Sequence, residues 1–221
     1  RYRDDEWARD KGHAMIESLM RFINFDDFSW NLNEFDRGGR PRLSDPTTSH
    51  GRLMEALVWF YEATHDSLAL DLLSRLAEYH LQNTTSPDGI FNPVSGAHHS
   101  HSYLGTLRGL LLFGELTGQR IYVDRVAITY QNTVRTMIKK SGFMPHDIGT
   151  DQRGETTSPG DVAQLALWLG TRHGYGEFLD DAERIVRARI IPSQITESPL
   201  LRPLCSETDD RCRNLNDRIL G

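Results

Sequence analysis

The chain has 221 residues, 38% of them hydrophobic and 25% charged, and its formal net charge at pH 7 is −6. This length suits one large domain or two small ones with a sizeable core, and the composition is that of a soluble globular protein. The negative charge excludes an electrostatic footprint for nucleic acid, and no apolar run approaches the ~20 residues that cross a bilayer. We therefore expect a soluble protein, cytoplasmic or periplasmic, with neither nucleic-acid nor membrane partners.

In chain order, the predicted elements begin with a helix near residues 5–24, which we interpret as the second member of an incomplete unit. Three units follow, and each consists of two helices joined by a short polar turn. The second helix of each unit is amphipathic. The first is apolar nearly all round, as a helix buried on most sides must be, and covers roughly 50–63, 102–116 or 161–170.

An internal repeat supports this division of the chain. Asp71, Asp124 and Asp180 each follow a turn at a similar place, 53 and then 56 residues apart. A fixed period in this range is typical of stacked supersecondary units. The sequence therefore predicts helical hairpins in which a buried helix comes first and a surface helix second.

The connections between these helices differ greatly in length. Within each unit the turn has only a few residues, whereas the links between units are long: about 26–49, 83–100, 141–160 and the tail from 192. Links of this length without regular structure are uncommon unless they carry function. Because buried and surface helices alternate, all long links are expected at one end, beside several helix N-termini that favour oxygen-rich ligands.

These features predict an all-α fold, an α/α toroid of antiparallel helical hairpins that forms a single domain over residues 1–221. The alternative is a solenoid, although the ~34-residue tetratricopeptide period is too short for this repeat. A closed ring of six hairpins would need more than 221 residues. Either the ring is partial or the natural protein is longer, and the tail 196–221, with little periodic pattern, favours the second.

Titratable residues concentrate in the long links. Glu155 lies six residues before Asp161, which opens a predicted buried helix and has the alternative role of an N-cap. A pair of loop carboxylates, one protonated and one ionised, is what glycoside hydrolysis requires. The remaining candidates are histidines and acids of the same links: His50, His98, His99, His101, His146, Asp88, Asp147 and Asp151.

We assign provisional roles to these residues. Glu155 is the general acid or base, and Asp161 or Asp147 is its carboxylate partner. Four histidines and one arginine bind substrate: His99, His101 and His146 orient the sugar, His50 lines the wall, and Arg153 meets any acidic group.

No cofactor is included in this prediction. Zinc at His98-His99-Ser100-His101 is an alternative that we do not favour, because neighbouring histidines in a loop more often point apart than share an ion. Cys205 and Cys212 are open to three interpretations: a disulfide, a shared metal or two free thiols.

The segment from Glu155-Thr156-Thr157 to Asp161, the apolar stretch 163–169 and the later Asp180-x-x-Glu183-Arg184 pattern resemble the six-hairpin glycosidases, and most closely the β-L-arabinofuranosidase-like branch. The resemblance covers about 50–195 and is specific over 154–194. It implies an (α/α)6 catalytic toroid that acts on carbohydrate. It also implies that Glu155 corresponds to a zinc ligand, whereas the motif cysteine corresponds to Thr157, which supplies no thiolate.

The first hypothesis is thus a glycoside hydrolase acting on an oligosaccharide or glycoside. The second is a polysaccharide lyase for uronate-containing glycans, with His101 or His146 as base and Arg153 neutralising the carboxylate. The third is a non-catalytic helical interaction module.

Overall fold

The computed structural model describes residues 5–30, 50–92, 98–150 and 153–194. Over these ranges the chain is all-α, as predicted, and β pairing is limited to isolated bridges. The helices are α1 (Glu6–Phe22), α2 (Leu53–Thr64), α3 (Ser67–Asn83), α4 (Ser100–Thr117), α5 (Arg120–Thr129), α6 (Thr157–His173) and α7 (Leu179–Ile185). No helix among the described residues is both long and apolar enough to cross a membrane.

Two of the surface helices are extended by tighter or wider turns. Helix α5 continues through a π-helical turn, Tyr130–Val134, and a last α-helical turn, Arg135–Met137. Helix α7 follows a 3₁₀ turn, Gly176–Phe178, and continues through the π-helical turn Val186–Ile190 and the 3₁₀ turn Ile191–Ser193.

The helices form the three predicted hairpins, α2–α3, α4–α5 and α6–α7. Helix α4 packs against both α2 and α6, each first helix packs against the second helix of its own hairpin, and α1 packs against α3. Each first helix ends on a left-handed residue, His65, Gly118 or Gly174, with φ of 55°, 68° and 84°. A left-handed residue at the helix end turns the chain back within a few residues, so all three turns are short.

All-round burial of the first helices holds only for the central one. Helix α4 is buried over most of its length, from Ser100 to Gly114. The flanking helices α2 and α6 each expose a large apolar side chain, since Trp59 is 42% and Leu167 47% exposed. The reason is position: among the described helices, α4 has a first helix on either side, whereas α2 and α6 each pack against one other first helix, α4.

Small residues allow α2 and α4 to approach closely. A Cβ atom on Gly109 would lie 2.4 Å from the Cβ of Met54, and one on Gly105 would lie 3.3 Å from the Cγ of Arg52. A separation below 3 Å forces the helices apart. The two glycines, four residues apart on one face of α4, therefore set the spacing that brings the start of α2 beside the start of α4.

Helix α6 begins earlier than the sequence pattern indicated, at Thr157 rather than Asp161. Pro159 lies in its first turn, where a missing N–H leaves no intrahelical bond unmade. Asp161 is consequently inside the helix, one turn from its start. The N-cap interpretation of Asp161 is wrong, because Thr156 occupies that position.

The described parts of the long links meet at the end where α2, α4 and α6 begin. The amide of Ile148, in the third link, donates to the carbonyl of His98 in the second, at 2.6 Å. Phe28, in the first link, stacks on Tyr79 near the end of α3, with ring centroids 4.2 Å apart. The predicted gathering of long links is thus present among the described residues, while Asp151, Cys205 and Cys212 lie outside them.

Candidate functional site

Loop segments preceding α4 and α6 are held together by short backbone pairing. Isolated antiparallel bridges join His99 to Asp147 and Pro145 to Gly154. The amide of His146 also donates to the carbonyl of Arg153 at 2.7 Å. These bonds hold three loop segments side by side, and they place the side chains at positions 99, 146 and 155 at the starts of α4 and α6.

The first group at this place consists of His99, His146 and Glu155. His99 Nε2 lies 2.8 Å from Glu155 Oε2, and its Nδ1 lies 2.7 Å from the hydroxyl of Ser102. The rings of His99 and His146 are 4.6 Å apart between centroids. One potential ligand atom from each of the three residues falls within 4.8 Å of the other two. The group therefore offers two imidazole nitrogens and one carboxylate oxygen to a common point.

Glu155 is ionised in this setting. Partial burial favours the neutral acid, but hydrogen bonds from the Thr157 hydroxyl and from His99, with the nearby imidazoles, outweigh it and lower the pKa of Glu155 from its usual value. The carboxylate thus acts as an acceptor of hydrogen bonds and not as a proton donor.

A second group, centred on Asp161, lies next to the first. His101 Nδ1 is 2.5 Å from Asp161 Oδ2, and the other oxygen of Asp161 accepts a hydrogen bond from Arg108. Arg108 also donates from Nε to Glu55 at 3.0 Å. The guanidinium therefore bridges two carboxylates on different helices, and both oxygens of Asp161 are engaged.

The imidazole of His101 lies between Asp161 and Arg52. Because an ionised Asp161 only accepts, Nδ1 of His101 carries a proton toward it. On the other side of the ring, Arg52 Nη2 lies 3.4 Å from Nε2, which leaves that nitrogen as the acceptor. The arrangement is an imidazole oriented by a buried carboxylate, with its second nitrogen available for proton transfer.

His146 is oriented in a similar manner by its neighbour in sequence. Its Nδ1 lies 2.8 Å from Asp147 Oδ1, and Arg153 Nη2 approaches the same nitrogen at 3.4 Å. The carboxylate only accepts and the guanidinium only donates, so the shorter contact, to Asp147, favours the proton on Nδ1. In that tautomer Nε2 of the neutral ring is the acceptor.

The cluster is reachable but not fully exposed. The exposed fractions of the side chains are 26% for His99 and Glu155, 22% for His101 and 11% for Asp161. Partial burial strengthens their mutual interactions while it leaves an approach for a solute. Of the predicted site residues, the structure brings together Glu155, Asp161, Asp147, His99, His101, His146 and, at the edge, Arg153.

His50 is the predicted residue that does not join this cluster. Its side chain is 0% exposed, with Nε2 bonded to the carbonyl of Phe28 at 3.0 Å and Nδ1 3.2 Å from Nε2 of the fully buried His80. Aromatic rings of Phe28, Trp30 and Tyr79 surround it. His50 therefore cannot line a substrate wall in this conformation, because non-local aromatic packing covers it.

The buried pair is held uncharged by its surroundings. Burial lowers the pKa of His50 to about 4, partly opposed by the bond to Phe28, and lowers that of His80 well below its ordinary value. The hydrogen-bond partners identified for the pair are neutral, in contrast to the carboxylates that accompany His99, His101 and His146.

Sequence reasoning missed three residues of the cluster, namely Arg52, Glu55 and Arg108. A signal was present for two of them, because Glu55 and Arg108 are charges inside helices predicted to be apolar nearly all round. A charged residue in a buried helix is almost always paired, so the two were candidates for a mutual ion pair.

Two grooves on the described surface lie along α3. The larger, of about 730 Å³, runs between α3 and α5 past Phe91 and Arg125, and the other, of about 520 Å³, lies at Phe25 and Tyr79. The lining of the first groove holds one charged side chain and that of the second holds four, but neither includes a histidine or a residue of the cluster. We therefore define the candidate site by its side-chain chemistry and not by cavity volume.

Comparison with protein-family models, with curated proteins and with solved structures finds no match for this chain. The assignment of function consequently depends on the residues of the cluster and their geometry.

Proposed function

We propose that this protein is a carbohydrate-active enzyme, a glycoside hydrolase, whose site is the cluster at the starts of α4 and α6. The observation that supports it is the convergence of Glu155 and Asp161 with His99, His101 and His146, residues drawn from separate long links and helices. Proton-transfer groups of different environments within one partly exposed site are the requirement for hydrolysis of a glycosidic bond.

The geometry favours catalytic roles for one carboxylate and one histidine, and not for two carboxylates. Both oxygens of Asp161 are occupied, so Asp161 is a positioning residue that orients His101. Glu155 supplies the ionised carboxylate that faces the developing positive charge at the sugar. His101, unprotonated at Nε2, takes a proton from the attacking water, and the leaving oxygen is protonated from solvent. Asp147 remains the alternative carboxylate partner.

We further propose that the hairpins belong to an α/α toroid. The support is the row α2, α4, α6 of first helices with second helices packed on them, together with the exposed apolar residues Trp59 and Leu167 on the two flanking first helices. Apolar residues at such positions suit contact with further hairpins of the same kind.

Release of reducing ends from a panel of glycosides and oligosaccharides tests the hydrolase proposal. We expect activity in the wild type, a loss of at least 100-fold in Glu155→Gln and in His101→Ala, and unchanged activity in His98→Ala, an exposed neighbour. Activity that is equal in all four proteins would contradict the assignment of the site.

A polysaccharide lyase is the second candidate, and Arg52 favours it. Its guanidinium lies beside Nε2 of His101, so a base and a cation for a uronate carboxylate are adjacent. A lyase forms a carbon–carbon double bond, and ultraviolet absorbance of the products distinguishes it from a hydrolase. Under this alternative, Arg52→Ala abolishes turnover of uronate polymers and the absorbance appears without water being consumed.

The third candidate, a non-catalytic interaction module, makes the opposite prediction. Glu155→Gln and His101→Ala would leave partner binding intact, and no glycan would be cleaved by any of the proteins.

A further inference from the structure

The first group of the cluster has the composition of a metal centre. Two histidines and one glutamate present one imidazole nitrogen each and a carboxylate oxygen, and these potential ligand atoms lie within 4.8 Å of one another. In a tetrahedral zinc site with bonds of about 2.0–2.1 Å, ligand atoms lie about 3.3 Å apart. Small rotations of the three side chains close that difference, and His99 Nε2 and Glu155 Oε2 are already 2.8 Å apart.

The partners behind these three residues hold each of them in the state that a metal needs. Asp147 accepts the Nδ1 proton of His146, which leaves Nε2 of that ring as a free lone pair. A carboxylate behind a histidine in this manner is the usual support of a metal-binding imidazole. The Thr157 hydroxyl donates to Glu155 and keeps its carboxylate in place.

His99 can release the proton that now binds Glu155. The hydroxyl of Ser102, 2.7 Å from Nδ1, serves as donor or acceptor, because a hydroxyl rotates to suit its partner. When an ion takes Nε2, the proton moves to Nδ1 or to solvent, and Ser102 changes from donor to acceptor. The site therefore needs no rearrangement of the backbone to accept a cation.

We propose that His99, His146 and Glu155 bind a divalent transition-metal ion of the zinc class, positioned by Ser102, Asp147 and Thr157. Two imidazoles and one carboxylate leave a fourth position for water or substrate.

The charges around the group select the type of ion. Glu155 and Asp147 contribute two negative charges, while Arg153 and the N-terminal ends of α4 and α6 oppose a cation. Hard ions such as Mg²⁺ and Ca²⁺ depend on several charged oxygen ligands. Imidazole nitrogen suits zinc and its neighbours, so coordination and not net charge provides the affinity.

The proposal does not depend on hydrolase activity, because metal binding is measured without a sugar. It takes Glu155 as a metal ligand, in place of the free carboxylate of the hydrolase scheme. The full chain, untagged and stripped with a chelator, is dialysed against Zn²⁺ and its metal content is determined by elemental analysis. We expect about one zinc ion bound per chain, and we expect no binding of Mg²⁺ with comparable affinity. Helix content by circular dichroism confirms that each variant is folded.

The variants separate this site from other zinc ligands of the chain. His146→Ala and Glu155→Gln should weaken zinc binding at least 100-fold, and Asp147→Asn about 10- to 100-fold through the lost support of His146. His98→Ala, which removes the adjacent exposed histidine, and the Cys205→Ser/Cys212→Ser double variant should bind as the wild type does. A wild type without zinc, or binding that survives in His146→Ala and disappears in the cysteine variant, would overturn the proposal.

Discussion

Two groups of histidines lie at the end of the hairpins where the long links gather, and they differ in their hydrogen-bond partners. His99, His101 and His146 are partly exposed, and each has a carboxylate within hydrogen-bond distance. His50 and His80 are fully buried and bond to each other and to a backbone carbonyl. Residue type and position in a link were therefore weak guides to function, and the partners that the fold supplies determine whether an imidazole takes part in chemistry or in packing.

A third setting shows that a carboxylate partner alone does not make a site. At the opposite end of the helices His173 Nε2 lies 2.7 Å from Glu115, much as His99 lies beside Glu155. Arg172 also donates to Glu115, at 3.1 Å, so this carboxylate is neutralised by a guanidinium. Within the described ranges, only the cluster at the long links combines several histidines with a carboxylate left to accept.

The largest effect on stability should come from Arg108, the arginine that holds Asp161 in the cluster. Arg108 is 11% exposed and bridges Glu55 and Asp161, so Arg108→Met removes the guanidinium partner of two nearly buried carboxylates. We expect a loss of about 3–5 kcal/mol in the free energy of unfolding, measured with urea.

The matched control is an exposed pair of the same chemistry. Arg120→Met removes the arginine partner of Asp124, and both side chains are more than half exposed, so the free energy of unfolding should hardly change. Arg108→Lys should fall between the two, because a single ammonium cannot bond both carboxylates as the guanidinium does. Equal effects of Arg108→Met and Arg120→Met would contradict the proposed support.

The buried histidines His50 and His80 should make the stability of the protein decrease in mild acid. The pKa of His50 is about 4 in the folded state, against about 6.5 for an unfolded histidine, so the unfolded chain binds more protons between these values. Stability is complete above pH 6.5 and decreases as the pH falls toward 4. Between pH 7 and pH 5 we expect a loss of about 2 kcal/mol from His50, with His80 adding in the same direction.

Urea unfolding at both pH values, in the wild type and in His50→Gln, isolates this contribution. The glutamine keeps an acceptor for His80 but does not titrate, so the pH-dependent loss should shrink by about 2 kcal/mol. An identical loss in both proteins would show that the histidine pair is not the acid-sensitive element.

Gly154, next to Glu155, allows the close packing of the loop segments that positions this carboxylate. A Cβ on Gly154 would lie 2.3 Å from the ring of Phe143 and 3.1 Å from the carbonyl of Met144. Gly154→Ala therefore displaces the segment that carries Glu155, and we expect a loss of about 1–2 kcal/mol together with at least tenfold weaker zinc binding.

Gly160 provides the contrast within α6, since no atom lies within 4 Å of its added Cβ. Gly160→Ala should be neutral or stabilising by up to about 1 kcal/mol, with zinc binding unchanged. Weakened binding in Gly160→Ala but not in Gly154→Ala would reverse our account of the loop.

The smallest effect concerns a histidine in neither group. His65 ends α2 in the left-handed region at φ 55°, where the equivalent residues of the other hairpins are glycines. His65→Gly should stabilise the protein by about 0.5–1 kcal/mol by thermal unfolding, less whatever the ring contact with Tyr61 contributes. The reverse change, Gly118→Ala, should destabilise by a similar amount.

Local patterns predicted the hairpins well because each helix carries its own periodicity. The apolar runs, the polar turns and the repeat of Asp71, Asp124 and Asp180 were enough for the all-α class and the end at which the links gather. The start of α6 was misjudged at Ser158-Pro159-Gly160, since a proline in a first turn and a proline that stops a helix look alike in sequence.

The site was predictable only in part, because its chemistry depends on non-local contacts. Glu155 and His99 are distant in sequence, and their union depends on bridges between loops that no periodicity encodes. For the same reason nothing local distinguished His50, which Phe28, Trp30 and Tyr79 cover, from His99, which they do not.

One nuclear magnetic resonance experiment addresses the contrast between the two groups directly. In the ¹⁵N-labelled full chain, the imidazole signals of all nine histidines are followed during a titration with Zn²⁺. Our account predicts that the ring nitrogens of His99 and His146 shift and saturate at one equivalent, while those of His50 and His80 stay unchanged. Signals of His50 and His80 that move first, or rings of His99 and His146 that never respond, would contradict it.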